Sequence, residues 1–119
     1  MLPAAYRLTR RCDFSRVYAK GRSAACREFV LYSLKRPGEQ VRIGFSSSRK
    51  LGHAVVRNRQ RRVFRHAAAA VLAEFPRGRD YVFVIRRGAL DKNLGCIKKA
   101  ISRELARLAE PCRGKKGAQ

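Results

Sequence analysis

The residue pattern predicts an α+β domain: one small, mainly antiparallel sheet packed by helices, in the order α-β-β-β-α-β-α. Three features carry that prediction. Extended, alternating residues fill the region from Arg22 to Ser47. Two later stretches, one after Ala54 and one after Asp91, repeat apolar residues at helical spacing. Between them Tyr81 to Arg86 is a β-branched, aromatic run typical of an interior strand.

The elements follow in order. The basic start, Met1 to Arg11, has no periodicity of its own. Phe14, Val17 and Tyr18 then sit at i, i+3 and i+4, one face of a short helix. Asp13 or a neighbour marks its start, and Gly21 can stop it. In the extended region Phe29, Leu31 and Ser33 point one way and Val30, Tyr32 and Leu34 the other. Both faces are largely apolar, so this strand is either covered on both sides or turns one face to a ligand. Pro37-Gly38 is a turn signal. Val41 to Ser47 then reads as the return strand of a hairpin, with Val41, Ile43 and Phe45 on one face.

A long helix is expected from about Ala54 to Glu74. Val56, Gln60, Val63, Phe64, Ala67 and Val71 are assigned to one side, and Arg57, Asn58, Arg61, Arg62 and Arg65 to the other, with Arg59 on a flank. Pro76-Arg77-Gly78 ends it. After the apolar strand, Asp91 to Ala109 returns to helical spacing, with Leu94, Ile97, Ile101, Leu105 and Leu108 on one face. Phe29, Phe45, Phe64, Phe83 and Ile85 are expected in the core. Residues 1–119 are read as one domain, ordered over about 6–110, with a flexible basic tail at 111–119.

Charge narrows the function. The chain carries 29 Lys+Arg against 8 Asp+Glu, a net +21. Such an excess repels itself unless a polyanion neutralises it, and nucleic acid is the default partner. No stretch reaches the roughly 18–20 apolar residues that span a bilayer. The N-terminus lacks the apolar core of a signal peptide, so a cytoplasmic location is expected. Cys12, Cys26, Cys96 and Cys112 are far apart, which fits reduced thiols better than a zinc site. The carboxylates are scattered, which argues against a protein-only two-metal nuclease. Divalent metal is expected to be held mainly by the phosphates of the nucleic acid, with no cofactor bound by the protein alone.

The cations are concentrated where the acids are missing. Between Glu39 and Glu74 there is no acidic residue, yet Arg42, Arg49, Lys50, Arg57, Arg59, Arg61, Arg62 and Arg65 all fall there. A merely solvated helix face would intersperse Glu at i, i+4 to relieve the repulsion. Arg57, Arg61 and Arg65 instead recur at four-residue steps with nothing opposing them. The loop Ser46 to Gly52 supplies hydroxyls, two cations and a glycine, and delivers the chain to a helix N-terminus whose free N–H groups attract anions. The arginine row is too continuous for base-edge reading by a DNA-binding helix.

The run Phe45-Ser46-Ser47-Ser48-Arg49-Lys50-Leu51-Gly52-His53-Ala54-Val55-Val56-Arg57-Asn58-Arg59-Gln60-Arg61-Arg62 resembles the signature of the bacterial ribonuclease P protein subunit. Asp13-Phe14-Ser15-Arg16-Val17-Tyr18 is similar to that family's first helix, and Phe29-Val30-Leu31-Tyr32 to its following strand. The resemblance covers about residues 6–109. His53 stands where the family usually has Asn, and Arg49 where Lys is common.

The resemblance implies a ribosomal protein S5 domain 2-like fold with a left-handed β-α-β crossover. It implies a subunit of the enzyme that removes the 5′ leader from precursor tRNA, an endonucleolytic reaction catalysed by the RNA subunit with Mg2+ rather than by a protein active site. By the same resemblance Arg57, Asn58, Arg59, Arg61, Arg62 and Arg65 face the catalytic RNA, with Arg49 and Lys50 near it. Phe14, Tyr18, Val30 and Tyr32 line a cleft in which a single-stranded leader stacks. Spacing alone leaves Phe14, Tyr18 and Tyr32 open to plain core packing. The alternative function is a ribosomal or other structural RNA-binding protein, which would share the charge but not the signature.

Overall fold

The computed structural model describes residues 6–47 and 49–109, apart from the side chains of Arg49 and Ala109. The expectations for Arg49's side chain, Cys112 and the tail at 111–119 lie outside the described residues. Helix α1 spans Arg11–Lys20, followed by strands β1 (Arg22–Ala25), β2 (Phe29–Lys35) and β3 (Val41–Ser47). A short 3-10 turn, Arg49–Leu51, leads into α2 (Ala54–Ala70). Strand β4 (Arg79–Ile85) and helix α3 (Leu94–Ala109) complete the order α-β-β-β-α-β-α.

The four strands form one mixed sheet in the order β1-β2-β4-β3. β1–β2 and β2–β4 are antiparallel, whereas β3 and β4 run parallel with α2 as their crossover. The predicted hairpin between β2 and β3 is therefore corrected: β4 lies between them. The physical reason is burial. Residues Asp80 to Phe83 and Ile85 are all buried, so β4 gains most from neighbours on both edges. The turn at Pro37-Gly38 still reverses the chain, but arches over the start of β4. Arg36 N–H donates to Gly78 O at 2.8 Å and Gly78 N–H to Gln40 O at 3.2 Å. A Cβ on Gly78 would stand 2.6 Å from Gly38 O, so only glycine fits beneath that arch.

Helices cover both faces of the sheet. On one face Phe29, Leu31, Ile43, Tyr81, Phe83 and Ile85 pack with Phe64, Ala67 and Ala68 of α2 and Ile97, Ile101 and Leu105 of α3. Phe83 lies at the centre of the rings, 5.1 Å from Phe29, 5.5 Å from Phe45 and 6.1 Å from Phe64 between centroids. Leu94, expected on the buried face of α3, is instead exposed at the helix start. α2 ends at Ala70, and Leu72–Glu74 continues as a 3-10 turn.

The opposite face carries a smaller cluster of Leu8, Val17 and Val82, bordered by Phe14, Tyr32, Leu34 and Val84. α1 is the only helix there among the described residues. Gly21 does end it, but in extended rather than left-handed backbone, φ −79° and ψ 162°. Its role is close approach: a Cβ would lie 2.7 Å from Ser33 O of β2. β2 is thus covered on one face and only half covered on the other.

Candidate nucleic-acid interface

The arginine surface is built on α2. Its roll is set by Gln60, Phe64, Ala67 and Ala68, which are buried against the sheet and α3. Asn58, Arg59 and Arg62 are exposed. Arg57, Arg61 and Arg65 are half-buried, which corrects their assignment to the side opposite the apolar stripe. At about 100° per residue, positions four apart drift slowly around the helix, and this row runs beside the stripe rather than behind it. Their aliphatic stems can thus cover the edge of the packed face, and the Arg57 Nε is itself buried without a hydrogen-bond partner among the described residues. Gln60 is 6% exposed, and its Oε1 has no protein partner.

Arg61 reaches from α2 to the edge of β3. Its Nη1 donates to Ser47 Oγ at 2.7 Å, and its Nη2 donates to Asn58 Oδ1. Residues 7 and 8 extend the same edge, with Arg7 bridged to Ile43 and Leu8 N–H donating to Ile43 O at 2.9 Å. Desolvation, followed by the charges of Arg7, Arg61 and Arg62, pushes the Arg65 guanidinium below its ordinary value. Among the described residues no carboxylate forms an ion pair with Arg57, Arg59, Arg61, Arg62 or Arg65. The surface is a concentrated positive field that only an added anion can neutralise.

The entrance to α2 enlarges that field. Lys50 is exposed, and its carbonyl accepts a hydrogen bond from Arg87 Nε at 3.3 Å. Gly52 takes φ +144°, a backbone that side chains rarely adopt. His53 caps α2 in extended geometry with no side-chain hydrogen bond, and the first turn contains no acid. The first-turn N–H groups have no internal acceptor, which suits an anion.

The predicted cleft residues come together on the other face of the sheet. Tyr18 and Tyr32 meet edge to face with centroids 5.0 Å apart, and Phe14 lies 6.4 Å from Tyr18. Tyr18 is 40% exposed, while Phe14, Val30 and Tyr32 are half-buried. This is neither a sealed core nor a plain surface. Phe14 fits because residue 44 is glycine: a Cβ there would stand 2.5 Å from its ring. Val30 pairs across β2–β4 with Val84, which pairs across to Ser46 of β3. All three are half-buried and extend the floor. Sequence reasoning did not single out Val84 or Arg7, and it gave Ser46 a role in the loop before α2 rather than beside Val84 on β3. Val84 and Ser46 follow from two-residue alternation once the neighbour order is known; Arg7 gives no local signal.

Beside this cleft, on the same face of the sheet, the cations are paired. Arg42 Nε and Nη2 donate to the two oxygens of Asp80 at 2.9 Å each, and its Nη1 lies 3.4 Å from Asp13. Asp80, then Asp13, hold the Arg42 guanidinium above its ordinary value against the opposing effect of burial. Among the described residues no three His, Cys, Asp or Glu side chains form a metal-binding group. No described helix is long and apolar enough to cross a membrane.

Comparisons with known proteins identify the family and the fold. A family model described as Ribonuclease P matches residues 2–109. The ribonuclease P protein component of Geobacillus kaustophilus is 40% identical over 97 residues, covering 81% of this chain and 80% of that protein. The counterpart from Brevibacillus brevis is also 40% identical over 97 residues, covering 81% and 77%. Among solved structures, the Staphylococcus aureus RNase P protein superposes with a TM-score of 0.78 at 32% identity, covering 88% of this chain and 96% of its own. The Thermotoga maritima RNase P protein gives 0.79 at 25% identity, covering 87% and 98%.

Proposed function

The chain belongs to the bacterial ribonuclease P protein family, and from that premise we propose that its two surfaces hold two RNAs. The α2 surface, with Arg57, Asn58, Arg59, Arg61, Arg62 and Arg65 and with Arg49 and Lys50 at its entrance, binds the catalytic RNA. The cleft of Phe14, Tyr18, Val30 and Tyr32 takes the unpaired 5′ leader of precursor tRNA. The observation that carries the first half is the row of α2 arginines without a carboxylate partner among the described residues. Half-exposed aromatic rings over an apolar floor support the second.

The chemistry divides accordingly. Guanidiniums positioned on a rigid helix neutralise phosphates and release counterions, which gives affinity without a sequence requirement. Aromatic faces stack on unpaired bases of any identity at about 1–3 kcal/mol per base, as a subunit acting on many precursors needs. Bond cleavage itself is assigned to the RNA subunit. Mg2+ would sit mainly on RNA phosphates, because Asp13 and Asp80 beside the cleft already accept arginine. A purely structural RNA-binding role is disfavoured by the family membership.

Reconstitution tests this. Mixed with a bacterial ribonuclease P RNA and precursor tRNA at low magnesium, the protein is expected to raise leader cleavage well above that of the RNA alone. Equal stimulation by an unrelated basic peptide would overturn the assignment.

A further inference from the structure

Asp13, Arg42 and Asp80 come from α1, β3 and β4 and meet beside the cleft without lining it. Arg42 is the hub, gripping both oxygens of Asp80 and reaching Asp13 with its remaining nitrogen. Arg36 adds a longer contact to Asp80 at 3.5 Å. The side chains of Asp13 and Asp80 are only 9% and 4% exposed. Their pairs are therefore weakly screened, and losing one partner would leave a nearly buried charge. Arg16 also approaches Asp13, at 3.9 Å, but is 59% exposed and contributes little.

The location gives the network its meaning. Asp13 directly precedes Phe14 in the first turn of α1 and lies on the same short helix as Tyr18. Apolar packing of Val17 and Phe14 holds α1 to the sheet, but such contacts are non-directional. A forked guanidinium on a carboxylate is directional. That fork on Asp80 fixes the Arg42 guanidinium, and the single 3.4 Å ion pair from its Nη1 to Asp13 carries the constraint to the helix.

We propose that the Asp80–Arg42–Asp13 chain is a positioning device: it pins the first turn of α1 to β3 and β4, sets the spacing of Phe14 and Tyr18 from Tyr32 and Val30, and so tunes how firmly the cleft holds an unpaired strand. The proposal rests on the reading of the cleft as the leader site. None of the three residues has to touch RNA.

Two substitutions cut the chain differently. Asp13→Asn keeps the shape and removes the charge. Arg42→Lys keeps the charge but cannot fork between two carboxylates. In the reconstituted complex, each is expected to reduce the preference for leader-bearing precursor over mature tRNA by about three- to tenfold, part of the stacking contribution. The double variant should lose no more than Arg42→Lys alone, because that substitution already breaks the link to Asp13. Affinity for the catalytic RNA should stay at the wild-type value, and Arg16→Ala should leave the preference unchanged.

Thermal unfolding verifies that each variant is folded; if one is not, the other carries the test. An unchanged preference in a folded variant, or parallel loss of affinity for precursor, mature tRNA and catalytic RNA, would overturn the proposal. Tyr18→Ala separates it from its premise. If Tyr18→Ala lowers the preference and Asp13→Asn does not, only the positioning role fails. If Tyr18→Ala also leaves it intact, the leader reading fails as well.

Discussion

The arginines of α2 and those around Asp80 are the same residue type in opposite situations. Arg42 and Arg36 lie beside a carboxylate that is nearly buried, and their charge is satisfied inside the protein. The α2 arginines stand without a carboxylate partner among the described residues, and Arg65 is held below its ordinary pKa by desolvation and by its cationic neighbours. Glu104 repeats the first pattern on α3: it is 1% exposed and bound by Arg103 and Arg107. The difference teaches how to separate structural cations from binding ones in a chain of net charge +21. What counts is where the acids lie, and the acids that form ion pairs here lie on α1, β4, α3 and the β1–β2 turn.

The comparison can be broken most strongly at Asp80. Asp80→Ala leaves Arg42 and Arg36 without their shared partner and is expected to cost about 3–5 kcal/mol of stability, read as a lower urea midpoint at unchanged slope. A loss no larger than that of an exposed arginine substitution would erase the distinction. On the cleft side, Tyr32→Ala is expected to weaken leader-bearing substrate by about 1–3 kcal/mol more than mature tRNA, measured by direct binding to the reconstituted complex. Equal losses would return Tyr32 to the core.

A smaller effect sharpens the contrast between buried and exposed groups. Burial pushes the Tyr81 phenol up to about 12, above its ordinary value of 10.0, and its hydroxyl donates to Pro76 O at 2.6 Å. Because the folded pKa is the higher one, folding favours the protonated phenol. This contribution is complete below pH 10 and is lost as pH rises through 12. Urea titrations at pH 9 and pH 11 should therefore show a drop in stability that Tyr81→Phe removes.

The sequence made the elements legible because their periods are clean. Alternation in Phe29 to Leu34 and helical spacing in Ile97 to Leu105 each match a continuous element. Neighbour order was not legible. A turn at Pro37-Gly38 is compatible with a hairpin or with an arch over a third strand, and only the burial of β4 decides between them. The arginine block could be read from composition, but not the lean of Arg57, Arg61 and Arg65 onto the packed flank, which follows from the roll imposed by Phe64, Ala67 and Ala68. The cleft assignment came from family resemblance, and the positions of Val84 and Ser46 beside it needed the strand register. Asp13 and Asp80 gave no signal as partners, because their common arginine comes from a third element.

The salt dependence of binding to the catalytic RNA tests the central claim most directly. Plotted as log affinity against log salt, the wild-type protein should show a steep negative slope. Replacing Arg57, Arg61 and Arg65 together with alanine should make it shallower by about 2–3 units, roughly 0.7–0.9 per lost phosphate contact, in a protein that still unfolds cooperatively, at a midpoint lowered by the loss of the packed stems. An unchanged slope in the folded triple variant would contradict the account.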